Sequence, residues 1–119
     1  MKFIMNGGLI IGTMDGANVE ISEEVGIDNM FIFGAKINEV DKLKERMHNT
    51  PPANYICQEL KQVFASIEEG RFGSKEVLLE LIDTIRFNND QYLVCEDFPS
   101  YIAAQQKVHN FDYPGWRDL

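Results

Sequence analysis

Only two cysteines, Cys57 and Cys95, occur in the 119 residues. That is too few for a disulfide scaffold, and neither has the spacing of a metal-ligand pair. Both lie in apolar-patterned stretches, where a reduced, buried thiol is the ordinary expectation. Such usage suits a reducing compartment. Basic residues are also scarce, with 11 Lys and Arg against 19 Asp and Glu and a net charge of -8. Phosphate contacts need clustered Lys and Arg, so the balance argues against nucleic acid as a partner. It argues equally against an anionic membrane surface. No apolar run reaches the length of a membrane span. The opening MKFIMNGGLIIG is a poor signal peptide, with one charge, a glycine pair where the apolar core should be, and an aspartate soon after. A cytoplasmic location is therefore expected. A neutral partner such as a sugar polymer is compatible with the acidity, which keeps a domain soluble in any case.

What is present is ordinary for a folded protein: 45% apolar and 11% aromatic residues. A chain of this size can bury one modest core. Leu9-Ile10-Ile11 is a short apolar run between Gly7-Gly8 and Gly12, which reads as a buried parallel strand. Thr13-Met14-Asp15-Gly16 then turns the chain, with Asp15 expected to cap the helix that follows. Ala17, Ile21 and Val25 make an i, i+4, i+8 apolar stripe, and Gly26 is placed to end the helix in the left-handed conformation. Met30-Phe31-Ile32-Phe33 is a second apolar run, ended by Gly34. Strand, helix and strand at this spacing form a βαβ unit over residues 1–34, with parallel pairing.

Residues 35–119 read as a helical segment. Val40, Leu43 and Met47 mark a short amphipathic helix begun near Asn38 or Asp41 and broken at Thr50-Pro51-Pro52. Tyr55, Ile56, Leu60, Val63, Phe64 and Ile67 form a longer stripe closed by Gly70. Ser74 is expected to cap a helix carrying Val77, Leu78, Leu81, Ile82 and Ile85 inside. Residues 91–95 fit either a brief strand or a buried loop. Asp97 or Ser100 begins a last helix with Tyr101, Ile102 and Val108; Pro114 interrupts, and Trp116 follows. Two strands make a poor sheet. Their apolar runs call for cover on both faces and for further strands, which points to part of a larger doubly wound domain.

Chemistry is sparse in the pattern. Glycines 7, 8, 12 and 16 fit neither phosphate-loop fingerprint, and tight turns around a strand explain them. The helix start near Gly16 has free N–H groups that attract anions, but Asp15 competes there. Glu20, Glu23 and Glu24 fall on a polar helix face. His48 and His109 have no Cys or carboxylate at ligand spacing, so no metal site is expected. No Ser, Thr or Cys has the context of an activated nucleophile, and no catalytic residue is assigned.

Lys2 is different because of its neighbours. Met1-Lys2-Phe3-Ile4-Met5-Asn6 matches the tail of a site motif that ends in Met-Lys, two residues, Leu or Met, then Asn. Gly-Thr-Met-Asp-Gly-Ala-Asn-Val-Glu follows at residues 12–20, and Phe31-Ile32-Phe33-Gly34 after it. Residues 1–34 thus closely resemble the α-1,4-glucan phosphorylases, the family of the glycogen and starch phosphorylases. The likeness runs on more loosely to Tyr113-Pro114-Gly115-Trp116. Gly8 stands where the family more often has alanine.

The resemblance implies an allosteric, cytoplasmic transferase of glycogen metabolism. Such enzymes cleave the terminal α-1,4 glucosyl link of glycogen, starch or maltodextrin with inorganic phosphate and release glucose 1-phosphate. It implies the two-lobed glycosyltransferase B fold, with this chain a partial, Rossmann-like C-terminal lobe, and a homodimeric parent. It also implies pyridoxal 5'-phosphate held as a Schiff base by Lys2, an anchor rather than a general base. The glycine- and serine-rich approach to that lysine, the N-terminal lobe and the side chains that hold phosphate and glucose fall outside the chain, so the stretch alone is expected to be inactive. With nothing before it, the turn at residues 1–6 is expected to fray or to lean on a neighbouring molecule. Two other readings remain open. One is a non-catalytic α/β module that self-associates through exposed apolar surface. The other is a nucleotide-binding half-domain resting on the glycines alone.

Overall fold

The computed structural model describes residues 1–49, 56–86, 90 and 92–117, and of residues 116 and 117 the backbone only. The expected break at Thr50, Pro51 and Pro52, the stripe position Tyr55, residue Gln91 and the Trp116 side chain lie outside what is described. The fold is mixed α/β and mostly helical, with one two-stranded parallel sheet. It divides into two compact units, Met1–Ile37 with Ser100–Leu119, and Asn38–Pro99.

In the first unit a single 3-10 turn, Ile4–Asn6, leads to β1 (Ile11–Gly12), α1 (Ala17–Val25), a second 3-10 turn and β2 (Phe31–Ile32). The strands are parallel, with Ile11 opposite Phe31 and Gly12 opposite Ile32. Phe31 N–H donates to the Ile10 carbonyl (2.9 Å) and Phe33 N–H to the Gly12 carbonyl (3.1 Å). The strand–helix–strand order matches the apolar pattern. The first strand, however, sits at Ile11–Gly12 rather than over residues 9–11, because that is where Phe31 to Phe33 pair with it. Gly26 ends α1 with φ 85°, as glycine allows, but with an extended ψ of 140° rather than the left-handed helical value.

The helix that follows the second unit returns here. Residues 100–109 of α5 (Val94–His109) and the short α6 (Tyr113–Arg117) belong to the first unit. Phe111 packs edge-on to Phe31 with ring centroids 5.2 Å apart, and Tyr101 meets Phe33 at the same distance. Gly34 N–H donates to Ser100 Oγ (3.0 Å). Among the described residues, Met30 and Ala104 are the buried apolar residues of this unit.

The second unit holds α2 (Val40–His48), α3 (Gln58–Glu68), α4 (Lys75–Arg86) and the first turn and a half of α5. Its core is Ile56, Leu60, Phe64, Ile82 and Cys95, with Cys57, Ile67, Leu79, Ile85 and Phe98 packed against it. Arg86 reaches back from α4 to Glu68 of α3 (2.5 Å), pairs with Asp83 (2.9 Å) and lies 5.9 Å from the centre of the Phe64 ring. Arg46 of α2 pairs with Glu96 of α5.

Three expectations change here. Val77 and Leu81 point outward, 58% and 61% exposed, and Leu79 takes an inward place, because the face of α4 that carries Leu79, Ile82 and Ile85 is the one packed on the core. Ser74 does precede α4, but its hydroxyl donates to the Glu76 carboxylate (3.4 Å). The last helix begins at Val94, ahead of Asp97 and Ser100, because the Asp90 side chain accepts the Cys95 N–H (2.6 Å). Leu93 between them takes a positive φ of 54°, strained for leucine, and is 3% exposed, so burial holds it there.

Cys95 is fully buried, and loss of hydration followed by the nearby Asp90 carboxylate pushes its thiol up to about 12 from an ordinary 9.0. Its contribution to stability is complete below the unfolded value and is lost as pH rises through the folded one. Urea unfolding midpoints should therefore fall between pH 9.0 and about 12, and a Cys95→Ala variant should lose that part of the decline. An unchanged slope in the variant would contradict the assignment.

Candidate functional site

Lys2 and the motif that follows it at residues 12–20 lie in the first unit. Met1 to Gly8 fold into a turn closed by its own backbone. Met5 N–H donates to the Met1 carbonyl (3.2 Å), Gly7 N–H to Ile4 (3.2 Å) and Gly8 N–H to Phe3 (2.7 Å). The Asn6 side-chain amide donates to the Lys2 carbonyl (2.8 Å), so the Met-Lys-x-x-Met-Asn order is a side chain clasping its own turn. Gly7 takes φ 85°, which a side chain would strain. A Cβ at Gly8 would lie 2.7 Å from the Phe3 carbonyl oxygen, closer than any real contact, so alanine does not fit this turn as it stands. The end of the turn is held from far along the chain: Tyr113 donates its hydroxyl hydrogen to the Gly7 carbonyl (2.8 Å).

Lys2 itself is exposed. Met1, Phe3 and Met5 beside it are 73%, 86% and 80% exposed. A pyridoxal group needs an accessible amine for its aldehyde, cover for its ring and donors for its phosphate. The turn fits the first requirement and offers apolar side chains toward the second, but it encloses nothing.

The segment at residues 12–20 makes a compact strand-to-helix turn. Asn18 sends its amide to the Thr13 carbonyl (2.9 Å), and its N–H bonds the Asp15 carbonyl (3.1 Å). Thr13 donates its hydroxyl to the Asp15 carboxylate (2.8 Å). Asp15 is therefore not the helix cap expected of it. Gly16 occupies that position with φ 50°, without a side-chain bond, and the carboxylate is engaged one turn earlier. Its negative charge still lies beside the start of α1, where the helix dipole favours it. The apolar stripe of α1 is also only half covered. Ile21 is half-buried, whereas Ala17 and Val25 are exposed and line an open groove with Met1, Ile4 and Met5. Glu20 and Glu24 rim that groove, and Glu23 is exposed. His48 and His109 are both exposed, and among the described residues no three His, Cys, Asp or Glu side chains gather as metal ligands.

Sequence reasoning missed two participants. Asn18 carried no signal beyond membership of a motif, yet it ties the turn together. Tyr113 stood beside Pro114 in a stretch with no periodicity, and nothing local indicates that its hydroxyl meets residue 7.

These features define a class: an α/β segment in which a lysine-bearing turn runs directly into a parallel strand, a tight Gly-Thr-x-Asp-Gly turn and a crossover helix. The sequence model of the carbohydrate phosphorylase family matches residues 1–116, and the chain belongs to that family. It is similar to glycogen phosphorylase 2 of Dictyostelium discoideum, 42% identical over 111 residues, and to glycogen phosphorylase of Saccharomyces cerevisiae, 44% identical over 110. It is also similar to the muscle form of glycogen phosphorylase of Homo sapiens, 43% identical over 109 residues. Each match takes in 91% of this chain but 11%, 12% and 13% of the respective relative, so the chain spans about an eighth of their length.

A Gly8→Ala substitution should open the lysine-bearing turn, because the added methyl collides with backbone that cannot swing away as a side chain end would. A cost of about 1–3 kcal/mol is expected for such overpacking. Faster amide exchange over residues 3–8 would report it, and unchanged exchange would show that the turn tolerates the methyl.

Proposed function

We propose that this chain is a segment of a phosphorylase that splits the terminal α-1,4-linked glucose of glycogen, starch or maltodextrin with inorganic phosphate, yielding glucose 1-phosphate. The observation that carries the reading is the family match over residues 1–116, a span that takes in Met1-Lys2, the 12–20 turn and β2. In this reading residues 1–34 are a βαβ unit of a Rossmann-like C-terminal lobe of glycosyltransferase B type, and residues 35–119 are the helical segment after it. The whole protein works in the cytoplasm as a homodimer on a polysaccharide. No described helix is long and apolar enough to cross a membrane.

Lys2 is the attachment point for pyridoxal 5'-phosphate. When bound, that group supplies a phosphate able to exchange a proton with the substrate phosphate. The chain's own residues bind and orient. Lys2 offers the amine, Asn6 fixes the backbone from which it projects, and Met1, Phe3 and Met5 supply apolar surface that a surrounding protein closes over. Exclusion of water from such a pocket protects the linkage. By itself the turn is open, so this stretch alone performs no phosphorolysis.

Borohydride reduction of the full-length polypeptide, followed by peptide mapping, is expected to place the reduced cofactor on Lys2. A Lys2→Ala variant of that polypeptide should neither retain cofactor nor turn over glycogen. Label on another lysine, or on none, would sink the assignment. The 119-residue chain, assayed with glycogen, phosphate and cofactor, should release no glucose 1-phosphate.

A second reading, a non-catalytic module that self-associates, draws on the apolar side chains left outside: Phe3, Phe72, Val77 and Leu81 are all more than half exposed. Sedimentation of the 119-residue chain separates the two ideas. A monomer that binds little apolar dye removes the second.

A further inference from the structure

We propose that Tyr113 is a positioning residue for Lys2, holding in register the turn from which the lysine projects. The proposal rests on the reading of Lys2 as the cofactor lysine and adds a residue to that site. Three observations converge on it. The Tyr113 hydroxyl donates to the Gly7 carbonyl at 2.8 Å across 106 residues of sequence. Gly7 is also the point where the backbone reverses with φ 85°, a conformation that strains any side chain, and a Cβ there would crowd that hydroxyl at 3.2 Å. The tyrosine is itself fixed from both sides. Phe111 is anchored edge-on to Phe31 of β2, and the Asp112 carboxylate accepts the Gly115 N–H (3.3 Å), closing the first turn of α6 around Tyr113 and Pro114.

Among the described residues, the other hydrogen bonds of the lysine-bearing turn lie within it. Those bonds set its internal shape but not its placement on the sheet. The Tyr113 bond supplies the placement, because it ties the carbonyl just after the turn to a segment already packed on β2. A lysine that anchors a group must hold its amine where the group's other contacts lie, and a small displacement of the backbone is amplified along a four-carbon side chain. Tyr113 acts on Lys2 through Gly7 and touches no reacting atom.

The test uses the full-length polypeptide and its Tyr113→Phe variant, which keeps the ring and removes the hydroxyl. Borohydride mapping of the unsubstituted polypeptide first shows whether Lys2 carries the cofactor. Loss of the cofactor to hydroxylamine is then followed by absorbance, well below the unfolding temperature, alongside amide exchange over residues 3–8. A neutral hydrogen bond of ordinary net strength corresponds to roughly three- to tenfold in each rate. Tyr113→Phe is expected to speed both cofactor loss and exchange by that factor. A role confined to general stability would lower the melting temperature and leave the hydroxylamine rate alone. Label on Lys2 with unchanged rates in the variant overturns the Tyr113 proposal and leaves the Lys2 reading standing. Absence of label on Lys2 overturns both.

Discussion

Two parallel strands of two residues each cannot bury themselves, and the first unit is organised around covering them. The cover is aromatic and comes from the far end of the chain. Tyr101 and Phe111 meet Phe33 and Phe31 edge to face, the arrangement that the ring quadrupole favours. Phe31 and Phe33 lie two residues apart on a pleated backbone, so both rings project from one face, and one helix with the segment after it can reach both. Ser100 completes the contact by accepting the Gly34 N–H where β2 ends.

That requirement reaches back along α5. The helix starts at Val94, within the second unit, where Asp90 initiates it. A buried carboxylate accepts the Cys95 N–H, and a buried leucine is held in a strained left-handed conformation beside it. Pro99 has no N–H to give, yet the helix continues through it, since the start is pinned before the proline and the aromatic contacts lie after it.

The lysine-bearing turn draws on the same cover. Its glycines are there for geometry: Gly7 reverses the chain, and Gly8 passes so close to the Phe3 carbonyl that a methyl would not fit. In the family resemblance Gly8 looked like a minor departure from alanine. In the structure it is a close contact between two backbone segments. The shape of the turn is local, closed by its own hydrogen bonds, while its end is tied by the Tyr113 hydroxyl to the far end of the chain.

The sequence by itself determined what depends on near neighbours. The apolar runs around Ile11 and Phe31, the stripe of α1, the helices α2 to α4, and the Lys2 and 12–20 motifs were all legible, because period and turn chemistry act over a few residues. Tertiary structure alone decided which apolar stripes would be covered. Ala17, Val25, Val77 and Leu81 carry the pattern of core residues and lie exposed, since amphipathic spacing says that a face is apolar but not that a partner meets it. It alone moved the start of α5 to Val94, and it alone brought Tyr113 to Gly7. A contact between residues 7 and 113 leaves no trace in local spacing; it exists because the chain folds back to cover its own short sheet.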